Sequence, residues 1–356
     1  MNKTRARRIR HDRILAEKRM RRRKNGRMRL KKKELNESRY RNRNTGLSQK
    51  DIVAPEYFRL SDNKSRVRLV RFISNIRVAL REGHNVFIDF ERTNLMVADG
   101  TLLFFAELAN LDAQYKNNRI VRCNYPKNQL VEQVLQHIGV LSMLGQRSRK
   151  FVDHETVKHW CIASGSDVDG SKLEELSTKY KGTFTARLSK GSLYNGLIEA
   201  MTNSCQHAYP DKRSTNWWVF SEEYNSNLTI VFCDIGIGIP ASIREPSRQD
   251  QNIVLKLLQA VVGEKTDGEL IRVAFEIGKS KTKEPNRGKG LQEVKAVLED
   301  KGQGKLLVQS GTGFYSYEPK KSILASTGSF AQKIPGTLIS WSMPIGKEED
   351  NEQSHN

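Results

Sequence analysis

Apolar residues recur along this chain at two spacings, and the changes between them mark out its elements. Val67, Leu69, Val70, Phe72, Ile73, Ile76, Val78 and Leu80 follow a helical period that ends near Gly83. A short apolar strand follows at 85–90 (NVFIDF), then a helix at 100–115 (GTLLFFAELANLDAQY). A strand at 119–124 (RIVRCN) and a helix at 128–144 (NQLVEQVLQHIGVLSML) complete the first half. Strand, helix, strand, helix with short links predicts a parallel βαβ unit with a right-handed crossover. Beyond the polar run QRSRK at 146–150, residues 193–208 read as an amphipathic helix with Leu197, Ile198 and Met201 inward. LTIVFCD at 228–234 alternates as a strand, and LQEVKAVLED at 291–300 reads as a helix. The expectation is an α/β protein of two domains, 51–148 and 149–346, with extensions at both ends.

Charge sharpens this division. The net charge is +21 over 356 residues, yet residues 1–50 hold 21 Lys and Arg against four acids, a net +17 that leaves only +4 for the rest. The folded part is therefore near neutral, and residues 1–50 read as a basic arm, helical or disordered until a partner orders it. Residues 3–33 suit nucleic acid or another polyanion through backbone contacts, because no aromatic precedes Tyr40 to stack on bases. The last ten residues, 347–356, form an acidic, disordered tail.

Cys123, Cys161, Cys205 and Cys233 lie far apart with no C-x-x-C pair, which excludes a disulfide framework and a zinc knuckle. No apolar run approaches the ~18 residues of a membrane span. The N-terminus lacks the apolar core of a signal peptide. A soluble cytoplasmic protein is expected.

Three short motifs then appear in a fixed order. Glu199-x-x-x-Asn203 places two polar side chains on one face of the 193–208 helix, and His207 adds a third position there. Asp234-x-Gly236-x-Gly238 follows a strand, and Gly288-x-Gly290-Leu291 opens a helix. Order and spacing resemble the ATP-binding domain shared by gyrase, Hsp90, histidine kinases and MutL, the GHKL family, over roughly residues 150–346. The resemblance implies a two-layer α/β sandwich binding ATP and Mg2+. It assigns Asn203 to the metal, Glu199 to the attacking water as general base, and Asp234 to the adenine amino group. Gly236 and Gly238 would let backbone approach the base, GTLISWSMP at 336–344 would be the closing strand with Thr337 near adenine, His207 would touch phosphate, and 241–287 would be a mobile lid. Arg287, Gly288, Lys289, Gly290 and Leu291 would meet phosphate at a helix N-terminus.

The first domain, in VFIDF, the Gly100 turn and QHIGVLSML, is similar to STAS domains, the fold of anti-sigma-factor antagonists. Asp99 stands where those antagonists carry a phosphorylated serine. It reads as a helix N-cap and also as a permanently charged mimic.

Two look-alikes fail. IGKSKT at 277–282 lacks the glycine a P-loop needs, since position 273 is Val, and GIGIPA lacks the βαβ context of a dinucleotide fingerprint. The expected function is an ATP-binding regulator in which Mg-ATP binding, with slow hydrolysis, switches the STAS-like domain or a partner. A protein kinase acting on a separate partner and a nucleic-acid-binding regulator with structural ATP are the alternatives. His154 is a poor phosphoacceptor, because too little chain separates it from Glu199 for a dimerisation hairpin. Expected partners are ATP, a polyanion at the arm, a protein at the STAS-like domain and a second copy of the chain.

Overall fold

The computed structural model describes residues 48–115, 120–149, 154, 157, 160–174, 191–210, 215–224, 226–244, 265–277, 290–299, 302–321 and 324–344. The basic arm, the acidic tail, Arg287, Gly288 and Lys289 lie outside the described residues. No helix among the described residues is long and apolar enough to cross a membrane.

The first half runs β1 (Gln49–Val53), β2 (Tyr57–Phe58), α1 (Asn63–Arg81), β3 (Asn85–Asp89), β4 (Leu95–Met96), α2 (Ala98–Tyr115), β5 (Val121–Cys123), α3 (Gln129–His137) and α4 (Val140–Met143). β1, β3 and β5 form a parallel sheet in that order, so the expected parallel βαβ unit is present and gains a strand in front. Only Ile52 of β1 is buried, which is why periodicity missed it. Asp62 begins α1 by accepting the Ser65 N–H at 2.8 Å. The single helix expected over 128–144 is instead two, because Gly139 takes φ +82 and ends α3 in the left-handed conformation. The polar run after α4 is tied down: Arg149 forks onto Glu132 at 2.9 and 3.0 Å and lies over the Tyr125 ring.

The second half contributes β6 (Cys161–Gly165), α5 (Ser192–Asn203), a π-helical turn (Ser204–Ala208), β7 (Trp217–Tyr224), β8 (Asn227–Asp234), α6 (Ile239–Arg244), α7 (Asp267–Ile277), α8 (Gly290–Glu299), β9 (Lys305–Tyr317) and β10 (Ala325–Pro344). The five strands form an antiparallel sheet in the order β6-β7-β8-β10-β9. Its two faces separate by strict alternation. Trp217, Val219, Ile230, Phe232, Ile339 and Trp341 pack against α5, α7 and α8. Trp218, Phe220, Val231, Cys233 and Leu338 join the core of the first half. The sheet is thus covered on both sides, by its own helices and by α1 and α2.

Part of the segment expected to be a mobile lid is not one. α7 sits within 241–287 and is seated on the sheet: Leu270 and Ile271 are fully buried, and Phe275 stacks on Tyr315. Thr266 and Glu269 cap it reciprocally, each accepting the other's backbone N–H. The lid reading is left to 245–264 and 278–289, outside the described residues.

The halves are pinned by charge as well as apolar packing. Arg66, in α1, is fully buried. Its guanidinium donates to Gln309 Oε1 at 2.5 Å, the Gln332 carbonyl at 2.9 Å and the Gly311 carbonyl at 3.3 Å, and lies 4.1 Å from the Phe330 ring centre. Desolvation brings it down to about 10, opposed by Asp99, so it stays charged at neutral pH. Asp99 lies inside the first turn of α2, past the cap position expected for it. It accepts the N–H of Gly100 at 2.6 Å and of Leu60 at 3.3 Å, and burial pushes it up to about 6. Glu222 of β7 faces it, accepts the Ala98 N–H and is pushed up to about 7, again by burial. The position expected to display a permanent charge is instead turned against the second half.

These carboxyls take up protons more readily folded than unfolded. Between about pH 4 and pH 7 these two sites therefore bind more protons in the folded chain, and their contribution to stability falls as pH rises through that window. Glu222→Gln should flatten part of the decline in a series of thermal melts. A slope identical to the parent's would mean that Glu222 does not titrate in this range.

Candidate functional site

The carbon skeleton of the site is the end of α5, the end of β8 and a bulge in β10. Glu199 and Asn203 fall one turn apart on α5, and Asn203 Nδ2 donates to Glu199 Oε1 at 2.9 Å. Burial raises the Glu199 carboxyl above its ordinary range; the Asn203 bond opposes this and Glu293 of α8 adds repulsion. With its amide nitrogen committed to Glu199, Asn203 has its carbonyl oxygen left for a cation. The helix then opens into the π turn, the sort of local widening that recurs at functional sites. His207 lies in that turn, exposed.

Asp234 ends β8 on the face that carries α5. It is buried, its Oδ1 accepts the Gly236 N–H at 2.9 Å, and Thr337 pairs with it directly across the ladder. Burial pushes the carboxyl up to about 7 against hydrogen bonds from Gly236 and Thr337. The loop after it is held on two sides. Ile237 N–H donates to the Ala208 carbonyl at 2.8 Å, joining the loop to the π turn, and Gly336 N–H donates to the Gly236 carbonyl at 2.8 Å. Asp234, Gly236, Gly238 and Thr337 therefore come together, and the Ala208 bond ties their loop to the end of the helix that carries Glu199 and Asn203.

Gly290 and Leu291 open α8, which runs beside α5, and Leu291 packs into the apolar cluster between them. Arg287, Gly288 and Lys289, expected to meet phosphate, lie outside the described residues. Among the described residues no group of three His, Cys, Asp or Glu is placed to hold a metal. A cation here would depend on Asn203. Mg2+ fits that, since it keeps several waters and takes oxygens from phosphates.

Three contributors are invisible in the motifs. Between Ile334 and Thr337, β10 carries two residues more than β9 opposite, a bulge at Pro335 and Gly336. Ser310 of β9 donates to the Gly336 carbonyl at 2.8 Å and accepts the Ile239 N–H at 3.0 Å. Tyr209 accepts the Ile235 N–H at 3.2 Å while donating to the Asn216 carbonyl. The only sequence signal for the bulge is Pro-Gly inside a strand, where proline cannot join a central ladder.

The chain matches no protein-family model, no curated protein and no solved structure.

Two glycines are fixed by space. A methyl on Gly236 would overlap the Ala208 carbonyl, and one on Gly336, at φ +62, would overlap the Asp234 carbonyl. Gly236→Ala and Gly336→Ala should each cost about 1–3 kcal/mol or more in urea unfolding. Wild-type stability in either variant would show that the loop relaxes freely.

Proposed function

We propose that the second half binds Mg-ATP and that this binding, followed by slow hydrolysis, switches how the two halves or a partner are held. The reading is carried by one juxtaposition. A buried carboxylate paired with a threonine (Asp234, Thr337) and a carboxylate–amide pair (Glu199, Asn203) share one sheet face, joined by the Ile237–Ala208 hydrogen bond. The first pair suits a planar base with an exocyclic amino group, the second suits a phosphate tail with its cation.

The roles follow from chemistry. Ionised Asp234 accepts the adenine amino hydrogen, a charge-assisted bond. Gly236 brings backbone against the base, which no side chain would permit. Asn203 Oδ1 would hold magnesium, which when bound offsets the phosphate charge. Glu199, basic through burial, takes a proton from a water attacking the γ-phosphorus, and the bond to the ADP oxygen breaks. A relay has a physical route. Ser310 fastens the site's glycine bulge, and its neighbours Gln309 and Gly311 bind Arg66 of the first half.

Asp234→Asn replaces the charged acceptor with a neutral amide, one of whose two positions becomes a donor, and should weaken ATP by roughly 10–150-fold, about 1.5–3 kcal/mol. Unchanged affinity would sink the adenine assignment. Because Asp234 must be ionised to accept, wild-type affinity should hold above about pH 7 and weaken below it, by up to about tenfold per pH unit. Asp234→Asn should show only the titration of ATP itself. Asn203→Ala should abolish the Mg2+-dependent part of binding. Incubation with γ-labelled ATP and Mg2+ separates the reactions: free phosphate supports hydrolysis, labelled protein or labelled partner indicates a kinase, and neither leaves a binding switch.

A further inference from the structure

A cavity of about 700 Å³ opens in the first half, and it shares no residue with the nucleotide site. It forms where the three parallel strands end. Val53 ends β1 and residues 54–56 follow it, Glu91, Arg92 and Asn94 follow β3, Lys127 follows β5, and α1 supplies the wall. The carboxyl edge of a parallel sheet is where α/β folds gather ligand-binding loops. The volume lies within the usual range for small-molecule sites.

Its chemistry is specific. Arg68 and Arg71 project from one side of α1, three apart, and Arg92 comes from the opposing loop. All three are exposed, and among the described residues none makes a hydrogen bond or ion pair. By contrast Lys127 pairs with Glu91, and Glu56 accepts from Tyr57 and from Asn94 at 3.2 Å while Arg68 attracts it without a hydrogen bond. Guanidiniums that converge from two elements without a hydrogen-bonded partner leave their donors open to an anion, and their planar forks match phosphate oxygens. The floor is apolar, from Phe72 and from Val53, which is 60% exposed. The carboxylates of Glu56 and Glu91 add acceptors beside the cations, suited to hydroxyl groups.

We propose that this cavity binds a small phosphate ester bearing hydroxyls, of the sugar-phosphate class, with Arg68, Arg71 and Arg92 on the phosphate and Glu56 or Glu91 on the hydroxyls. A continuous polynucleotide is disfavoured, because Glu56 and Glu91 line the same cavity and would repel further phosphates.

The test is calorimetric titration of the full-length chain with ribose 5-phosphate, ribose and inorganic phosphate. Ribose 5-phosphate should bind saturably and more tightly than either fragment. Arg68→Ala/Arg71→Ala and, independently, Arg92→Ala should each weaken it roughly tenfold or more, with thermal melts confirming that both variants fold. Asn203→Ala should leave it unchanged. Three outcomes would overturn the proposal: no binding of ribose 5-phosphate, equal binding in parent and arginine variants, or loss of binding in Asn203→Ala alone. A short RNA that binds through the same arginines without competition from ribose 5-phosphate would likewise replace the small ligand with a nucleic acid.

Discussion

A five-stranded antiparallel sheet that must be dry on both faces constrains everything else in this chain. Its central strands carry apolar residues at successive positions, Trp217 and Trp218, Phe232 and Cys233, Leu338 and Ile339, one of each pair for each face. A two-layer domain standing alone would expose the second face to water. Here α1 and α2 cover it, and the edge of that contact holds a buried guanidinium. Burying Arg66 costs several kcal/mol in desolvation, which only good geometry and complete hydrogen bonding offset. Its acceptors are one side-chain amide and two backbone carbonyls on β9 and β10, with Asp99 behind. Such a bond network tolerates one arrangement of the halves, so the charge specifies their registry more than it adds stability.

That registry has a consequence for the site on the other face. Strand residues alternate, so neighbours in sequence report to opposite faces. Gln309 and Gly311 face Arg66, and Ser310 between them fastens the bulge that supports Asp234 and Thr337. Cys233 lies in the shared core while Asp234 beside it ends in the site. A displacement of the first half by even a fraction of an ångström would reach the glycine loop without crossing any intervening side chain, because the strand itself connects them. Close-packed interiors transmit such strain instead of absorbing it.

Much of the first half was legible because its helices are long and amphipathic; α1 and α2 follow the predicted spans to within a few residues. β1 was not, since one buried side chain in five residues gives no period. In the second half, β8 stood out through alternation and the end of β10 through its likeness to a known closing strand, while β6, β7 and β9 did not. β7 and β9 mix Ser, Glu, Gln and Gly among their apolar residues, and their burial depends on a covering domain that no local window contains. The site was legible where chemistry needs particular residues at fixed spacing, as with Glu199 and Asn203 or Asp234 and Gly236. Ser310 and Tyr209 escaped because they act on backbone groups brought close only by the fold. Arg66 could not be found at all: nothing in an amphipathic helix rich in arginine singles out the one that is buried.

The fate of Asp99 follows from the same geometry. A carboxylate at the start of an exposed helix would be ionised and available to a partner. Packed against Glu222 and shielded by β7, it is drawn toward neutrality, and two acids at close quarters in a poorly solvated gap are more easily held together when one keeps a proton. Arg66 opposes that tendency from the other side. The contact therefore sets a desolvated cation beside Asp99, and Asp99 beside Glu222, two acids that burial raises toward neutral pH. That makes the face opposite the proposed nucleotide site the part of the molecule where such a switch would be felt first.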